Sequence, residues 1–177
     1  MIRGKHAAEV MAYVNGLMDG SILANEDRVL AAKRFTEMID DPKYEVRTRD
    51  ADFVIGIMEN VIVHRQGERL DGTPLRGEPF KLAAWQKFVV YGMLSFFYPG
   101  TNERVVKEAF IFIPRKNGKT LLIAALSFAL AILERKSGAK VYVVGAALKQ
   151  ARETFDTWLF NIEHHMYKDR NAARMDL

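Results

Sequence analysis

The chain has 177 residues, of which 49% are hydrophobic and 11% aromatic, and this supports one ordinary core and one globular domain. It has no cysteine, which excludes a disulfide-stapled scaffold and fits a reducing compartment. The formal net charge is +4, and residues 1–100 carry thirteen Lys and Arg against fourteen Asp and Glu, whereas residues 101–177 carry thirteen against eight. The basic excess in the second part favours an anionic partner such as a nucleotide or a nucleic-acid backbone.

The longest apolar run is Leu121–Leu133, which is too short to span a bilayer. The first residues are polar and do not resemble a signal peptide. We therefore expect a soluble protein with no membrane partner.

Helical spacing predicts amphipathic helices over Ala7–Met18 and Glu26–Ile39. Asn25 is a suitable N-cap for the second helix, and Asp41-Pro42 is a suitable stop. A third helix is predicted over Ala51–His64.

Gln66–Phe80 contains three glycines and two prolines, so we expect a loop there. Leu82–Tyr98 is predicted to be one long apolar helix that ends at Pro99-Gly100. Residues 1–100 are thus expected to form a helical N-terminal region.

After residue 105 the predicted elements change from helices to alternating strands and helices. Apolar segments Phe110–Ile113 and Lys140–Ala146 are predicted strands, and helices are predicted to begin after each, through Leu121–Leu133 and over Lys149–Met166. This strand–helix–strand–helix order predicts an α/β fold with a parallel sheet and right-handed crossovers, begun by residues 101–177.

The turn between the first strand and its helix reads Arg115-Lys116-Asn117-Gly118-Lys119-Thr120. Loop amides and the positive end of a helix converge on one anion in this arrangement. Gly118 lets the backbone approach phosphates, the Lys119 ammonium can reach the β and γ oxygens, and the Thr120 hydroxyl can hold Mg²⁺. The glycine-first form of this loop requires a glycine where Ile113 stands, so that pattern is only partly met.

Pro114–Thr120 closely resembles the phosphate loop of the large terminase subunits of tailed bacteriophages, in which an Arg-x-x-Gly-Lys-Ser/Thr core replaces the glycine-first form. Pro79–Phe88 looks like the adenine-side motif of that family. Val141–Ala151 looks like its strand and turn after the phosphate-loop helix. The resemblance extends over roughly residues 51–160.

The resemblance implies a phosphate-loop NTPase of the additional-strand type, with a parallel sheet flanked by helices. It implies an ATP-driven motor that packages double-stranded viral DNA into a procapsid, coupled to an endonuclease that cuts concatemeric DNA. The implied partners are viral DNA, the portal protein, the small terminase subunit and further copies in a homo-oligomeric, pentameric ring. The implied location is the host cytoplasm, with transient docking on the procapsid portal.

The resemblance also implies ATP and Mg²⁺ as cofactors and assigns roles in the loop. Lys119 would neutralise the phosphates, Thr120 would ligate Mg²⁺, and Arg115 would lie beside the γ-phosphate to steady charge as the bond breaks. Arg115 and Lys119 are thus the candidate catalytic residues, and an arginine on a surface turn is the alternative for Arg115. The loop residues that would surround the phosphates with them are Lys116, Asn117 and Gly118.

Gln86 lies in the adenine-side motif and would contact the adenine edge through its amide, the alternative being a solvated helix glutamine. In the family the ATPase domain continues into an apolar strand that ends in Asp-Glu, and no apolar run followed by two acids occurs after Thr120. We therefore expect an N-terminal piece of a large terminase subunit that is inactive alone. Two other classes stay open: a helicase-like ATPase acting on nucleic acid, and a non-catalytic partner-binding module.

Overall fold

The computed structural model describes residues 2–114, 117–134 and 140–175. The chain folds as two compact units, Met1–Ile55 with Leu82–Ile111 and Gly56–Lys81 with Phe112–Leu177. In chain order the elements are α1 (Ala7–Met18), α2 (Glu26–Asp40), β1 (Glu45–Val46), α3 (Arg49–Val61), α4 (Ala84–Leu94), β2 (Phe96–Phe97), α5 (Lys119–Glu134) and α6 (Leu148–Met175). The predicted boundary at residue 100 stays a prediction.

In the first unit α1 packs against α2 and α4. Both predicted ends of α1 are confirmed, and α2 begins at the predicted Glu26 and ends one residue beyond the predicted Ile39. The Asn25 side chain accepts a hydrogen bond from the Arg28 amide at 3.4 Å, and α2 ends before Asp41. The ring of Phe35 on α2 contacts that of Phe88 on α4 at 5.3 Å between centroids and that of Phe96 in the small sheet at 5.4 Å. The core of this unit is therefore built from apolar and aromatic side chains on the spacing that the sequence displays.

The small sheet is antiparallel, with Glu45 opposite Phe97 and Val46 opposite Phe96. The prediction of one helix over Leu82–Tyr98 is wrong at its end, because α4 stops at Leu94. Phe96 and Phe97 are 1% and 5% exposed and pair with β1 instead. Aromatic residues suit a paired strand, and burial of both rings offsets the loss of one helical turn.

The segment before α1 is held by Asp52 on α3. Its carboxylate accepts hydrogen bonds from the Lys5 amide at 2.8 Å, the His6 amide at 3.1 Å and the Tyr91 hydroxyl at 2.5 Å. Burial, followed by the contact with Asp52, raises the pKa of the Tyr91 phenol. A Cβ at Gly4 would lie 2.6–2.8 Å from side-chain oxygens, so a larger residue there would require these side chains to move.

In the second unit α5 packs against α6, and residues 62–80 form a hairpin with antiparallel bridges Val63–Pro79 and Glu68–Pro74. We call these residues the 62–80 hairpin. The loop predicted over Gln66–Phe80 is thus an ordered turn structure, in which Gly72 (φ 83°) lies at the tip beside an Asp71 side chain that accepts from the Thr73 amide at 2.9 Å.

The predicted strands Phe110–Ile113 and Lys140–Ala146 do not belong to a sheet among the described residues, where the only named sheet is the antiparallel pair of the first unit. The predicted parallel sheet is therefore not observed. A strand forms only when its N–H and C=O groups are hydrogen-bonded to a neighbouring strand. An apolar run has the propensity for a strand but does not ensure that such a neighbour is present. Four side chains of these segments are exposed by 79–93%: Phe110, Phe112, Tyr142 and Val144.

Among the described helices, none combines the length and apolarity needed to cross a bilayer.

Candidate nucleotide site

The loop before α5 turns into the helix at a glycine. Gly118 has φ 70°, a left-handed conformation that favours glycine, and α5 begins at the next residue. The Leu122 amide donates to the Gly118 carbonyl at 2.9 Å and starts the helix, while the Asn117 Nδ2 group donates to the Pro114 carbonyl at 3.4 Å. The chain thus turns sharply into a helix N-terminus.

The residues on this turn are open to a ligand. Asn117, Gly118, Lys119 and Thr120 are all exposed, and among the described residues no atom beyond the immediate neighbours of Gly118 lies within 4 Å of the place where a Gly118 Cβ would stand. The first-turn amides of α5 have no partner within the helix and carry the positive end of its dipole. An ammonium and a hydroxyl beside such amides suit a phosphate with Mg²⁺, so the described residues fit these groups.

Two of the predicted loop residues, Arg115 and Lys116, lie outside the described residues. Their assigned roles stay predictions. The described part of the loop is formed by four residues that are consecutive in sequence, from Asn117 to Thr120, and it needs no long-range contact to assemble.

A partly buried hydrogen bond connects α5, the helix that carries the loop, to α6. The Trp158 Nε1–H donates to the Ala124 carbonyl at 2.7 Å, and the Ser127 hydroxyl also lies 3.1 Å from that oxygen. Ala124, Ala125 and Ala129 are fully buried, and their small side chains let another element approach α5 closely. Trp158 was missed by the sequence analysis, because a lone tryptophan on a helix carries no signal of its partner.

On α6, Asn161 is 1% exposed, and its side-chain amide binds both the N–H and the C=O group of one residue, Val63. Its Oδ1 atom accepts from the Val63 amide at 2.7 Å, and its Nδ2 group donates to the Val63 carbonyl at 3.3 Å and to the Thr157 carbonyl at 2.9 Å. One turn further on, the His165 Nε2 group donates to the Val61 carbonyl at 2.5 Å. The 62–80 hairpin and the end of α3 are thereby tied to α6.

Gln86 has a structural partner. It is 6% exposed, and its Oε1 atom accepts a hydrogen bond from the Ala83 amide at 2.8 Å, which caps the N-terminus of α4. The residue belongs to the first unit, whereas the loop at Asn117–Thr120 belongs to the second. Contact of the Gln86 amide with adenine stays a prediction.

Among the described residues no group of three or more His, Asp or Glu side chains is placed to hold a metal ion. The rings of His164 and His165 stand 89° apart, and His165 is engaged with Val61. His64 packs edge-on against Phe80, and burial lowers the pKa of its imidazole.

A glycine-hinged turn that opens a helix N-terminus, with an exposed lysine and threonine, defines a candidate nucleotide-binding protein. The family model described as "Terminase large subunit, ATPase domain" matches residues 84–174, which is about half of the chain and includes α4, the loop and α5. The chain belongs to this family, and the expected resemblance is confirmed. No match was found among curated proteins or among solved structures.

Proposed function

We propose that the protein binds ATP with Mg²⁺ at the loop of residues 115–120 and serves as the ATPase motor of a viral DNA-packaging terminase. The observation that carries this proposal is a coincidence of two findings. The matched family segment contains Gly118-Lys119-Thr120, and Gly118 has the left-handed backbone that starts α5 with its first residues exposed.

Each loop residue then has a distinct task. The first-turn amides of α5 would hold phosphate oxygens, and the Lys119 ammonium would neutralise the β and γ phosphates. The Thr120 hydroxyl would ligate Mg²⁺, which supplies charge neutralisation on the transferred phosphoryl group. Arg115 would stabilise charge that develops as the phosphate bond breaks. Lys116 and Asn117 would complete the wall of the loop.

We further propose that Phe110–Ile113 and Lys140–Ala146 are strands of a parallel sheet of the phosphate-loop NTPase type. Their exposed apolar side chains support this, because such residues ordinarily lie against the helices that cover a parallel sheet. The motor would act as a ring, pentameric in this family by resemblance, on double-stranded viral DNA at the portal. It would work in the host cytoplasm with the small terminase subunit and with the endonuclease activity that cuts concatemers.

The test is nucleotide binding by the whole chain. Labelled ATP with Mg²⁺ is titrated against wild type, Lys119→Ala and a matched control, Lys33→Ala, which removes an exposed lysine from α2 in the first unit. We expect Lys119→Ala to lose binding by at least about tenfold, because a charge-assisted contact to phosphate contributes about 1.5–3 kcal/mol. Lys33→Ala should bind as wild type does. Equal affinities for wild type and Lys119→Ala would refute the site.

The proposed role of Arg115 predicts an effect on the rate of ATP hydrolysis and not on ATP binding. With an assembly that hydrolyses ATP, Arg115→Ala should leave nucleotide affinity within about twofold and reduce turnover by about 10³-fold or more. A merely exposed arginine on a turn would leave turnover unchanged.

A further inference from the structure

The helix α6 has an unusual distribution of side chains. Thr154, Thr157 and Asn161 are 6%, 5% and 1% exposed, whereas Phe155, Leu159 and Ile162 are 57%, 43% and 46% exposed. A helix at a protein surface ordinarily buries its apolar face. Here the polar face is buried, and burial of polar groups is favourable only when they are hydrogen-bonded.

Two polar side chains of α6 bind two other elements of the second unit. Trp158 donates to the Ala124 carbonyl of α5 at 2.7 Å, and Asn161, one turn along, binds both backbone groups of Val63 in the 62–80 hairpin. Ala124 lies five residues after Lys119, about 7.5 Å along the helix axis from the phosphate loop. The position of α5 along its axis is thus set by a directional bond and not by apolar packing alone.

We propose that Trp158 is a positioning residue for the nucleotide site: its indole N–H fixes α5, and with it the phosphate loop, against an α6 that Asn161 anchors to the 62–80 hairpin. This inference rests on the proposed function. Without the bond, α5 samples placements in which the loop amides do not converge, and apparent affinity falls in proportion to the competent fraction. The hydrogen bond therefore contributes to nucleotide binding from a distance.

Loss of the bond is separable from loss of the fold. In Trp158→Phe the aromatic character remains, and the Ala124 carbonyl still accepts its backbone hydrogen bond within α5, so no buried acceptor is left without a donor. Thr157→Val is the matched control on the same helix. It removes the Thr157 hydroxyl, which is also buried and donates only within α6, to the Glu153 carbonyl at 2.9 Å.

The experiment measures thermal unfolding and Mg²⁺-ATP affinity for wild type and both variants. We expect similar small decreases in Tm for the two variants, but a threefold to tenfold weaker affinity, about the value of one net hydrogen bond, only for Trp158→Phe. Unchanged affinity in Trp158→Phe, with wild type binding normally, would leave Trp158 a structural residue and overturn the inference. Failure of wild type to bind would instead overturn the proposed function and the inference with it.

A second measurement decides the matter if Trp158→Phe does not fold. The chain has two tryptophans, so Trp85→Phe leaves Trp158 as the sole indole reporter. Saturating Mg²⁺-ATP should shift the emission of Trp158 in this variant, and Lys119→Ala in the same background should abolish the shift. An emission spectrum unaffected by bound nucleotide would contradict coupling between the loop and Trp158.

Discussion

Asn161→Leu tests most directly how much the hydrogen bonds between Asn161 on α6 and the Val63 backbone contribute to stability. Leucine has nearly the shape of asparagine, so the change removes the amide without leaving a large cavity. Both backbone groups of Val63 then lose their Asn161 contacts in a residue that is 8% exposed. Each orphaned buried group costs about 1–3 kcal/mol, and apolar burial of the leucine recovers part of the loss, so we expect a net destabilisation of about 3 kcal/mol.

The assay is urea unfolding of the whole chain followed by circular dichroism, with constant m-value as the check that only stability has changed. Thermal unfolding should show a decrease in Tm of about 6–12 °C for a chain of this size. Thr157→Val on the same helix should cost no more than about 1 kcal/mol, because its hydroxyl serves only an intrahelical bond. The reasoning is refuted if Asn161→Leu and Thr157→Val agree within about 0.5 kcal/mol.

Asn161→Asp adds a pH signature that a cavity or a packing defect would not produce. The ionised carboxylate only accepts hydrogen bonds and would face the carbonyls of Val63 and Thr157, whereas the protonated form can donate to them. The pKa of the introduced carboxyl should therefore be raised above its unfolded value of about 3.9. The contribution of this carboxyl to stability should be complete below that value and be lost as the pH rises through the folded pKa.

Three further predictions concern other described contacts. Tyr91→Phe removes the hydroxyl that donates to Asp52, which keeps its two amide donors, and should cost about 1.5–3 kcal/mol in urea unfolding; a cost below about 0.5 kcal/mol would contradict the charge-assisted bond. Because burial lowers the pKa of His64, the contribution of the neutral imidazole to stability should be complete above about pH 6.5 and be lost as the pH falls through the folded pKa. His64→Gln should remove that part of the pH dependence of unfolding. A pH profile unchanged by the substitution would contradict this prediction. Gln86→Glu keeps the acceptor for the Ala83 amide but loses the side-chain amide donor, whereas Gln86→Ala loses both. If Gln86 contacts adenine, both variants should show a smaller preference for ATP over GTP in a competition assay. An unchanged preference would exclude that contact.

Local signals were sufficient to predict the helices of the first unit. The predicted range Ala7–Met18 is the range of α1, and the Asn25 cap and the stop at Asp41-Pro42 set the ends of α2 within one residue. Caps and periodicity act over one or two turns, so the sequence contains all that decides them. The loop at Asn117–Thr120 was predictable for the same reason, since Gly118 and the start of α5 are adjacent in sequence.

Strand pairing could not be predicted in this way. Glu45 and Phe97 pair across 51 intervening residues, and nothing in the charged link around Glu45 or the apolar run at Phe97 identifies the other. The apolar runs Phe110–Ile113 and Lys140–Ala146 carried the stronger strand signals, yet neither is a strand among the described residues. Propensity describes how well a residue fits a pleated surface, whereas a strand is created by its neighbour.

Helix α6 exposes a different limit of sequence patterns. Periodicity predicted a helix over Lys149–Met166, and α6 extends over Leu148–Met175. Polar residues of a surface helix ordinarily face solvent, whereas the structure buries Thr157 and Asn161. The pattern shows which side chains share a face, whereas the choice of face depends on the Val63 backbone groups, which lie 98 residues from Asn161 in the sequence. Burial of a polar helix face costs more free energy than burial of an apolar face unless every polar group is hydrogen-bonded. Such a face is therefore expected where directional hydrogen bonds are needed to position an element. The face that departs from the pattern also binds α5, the helix at whose N-terminus the candidate phosphate loop lies.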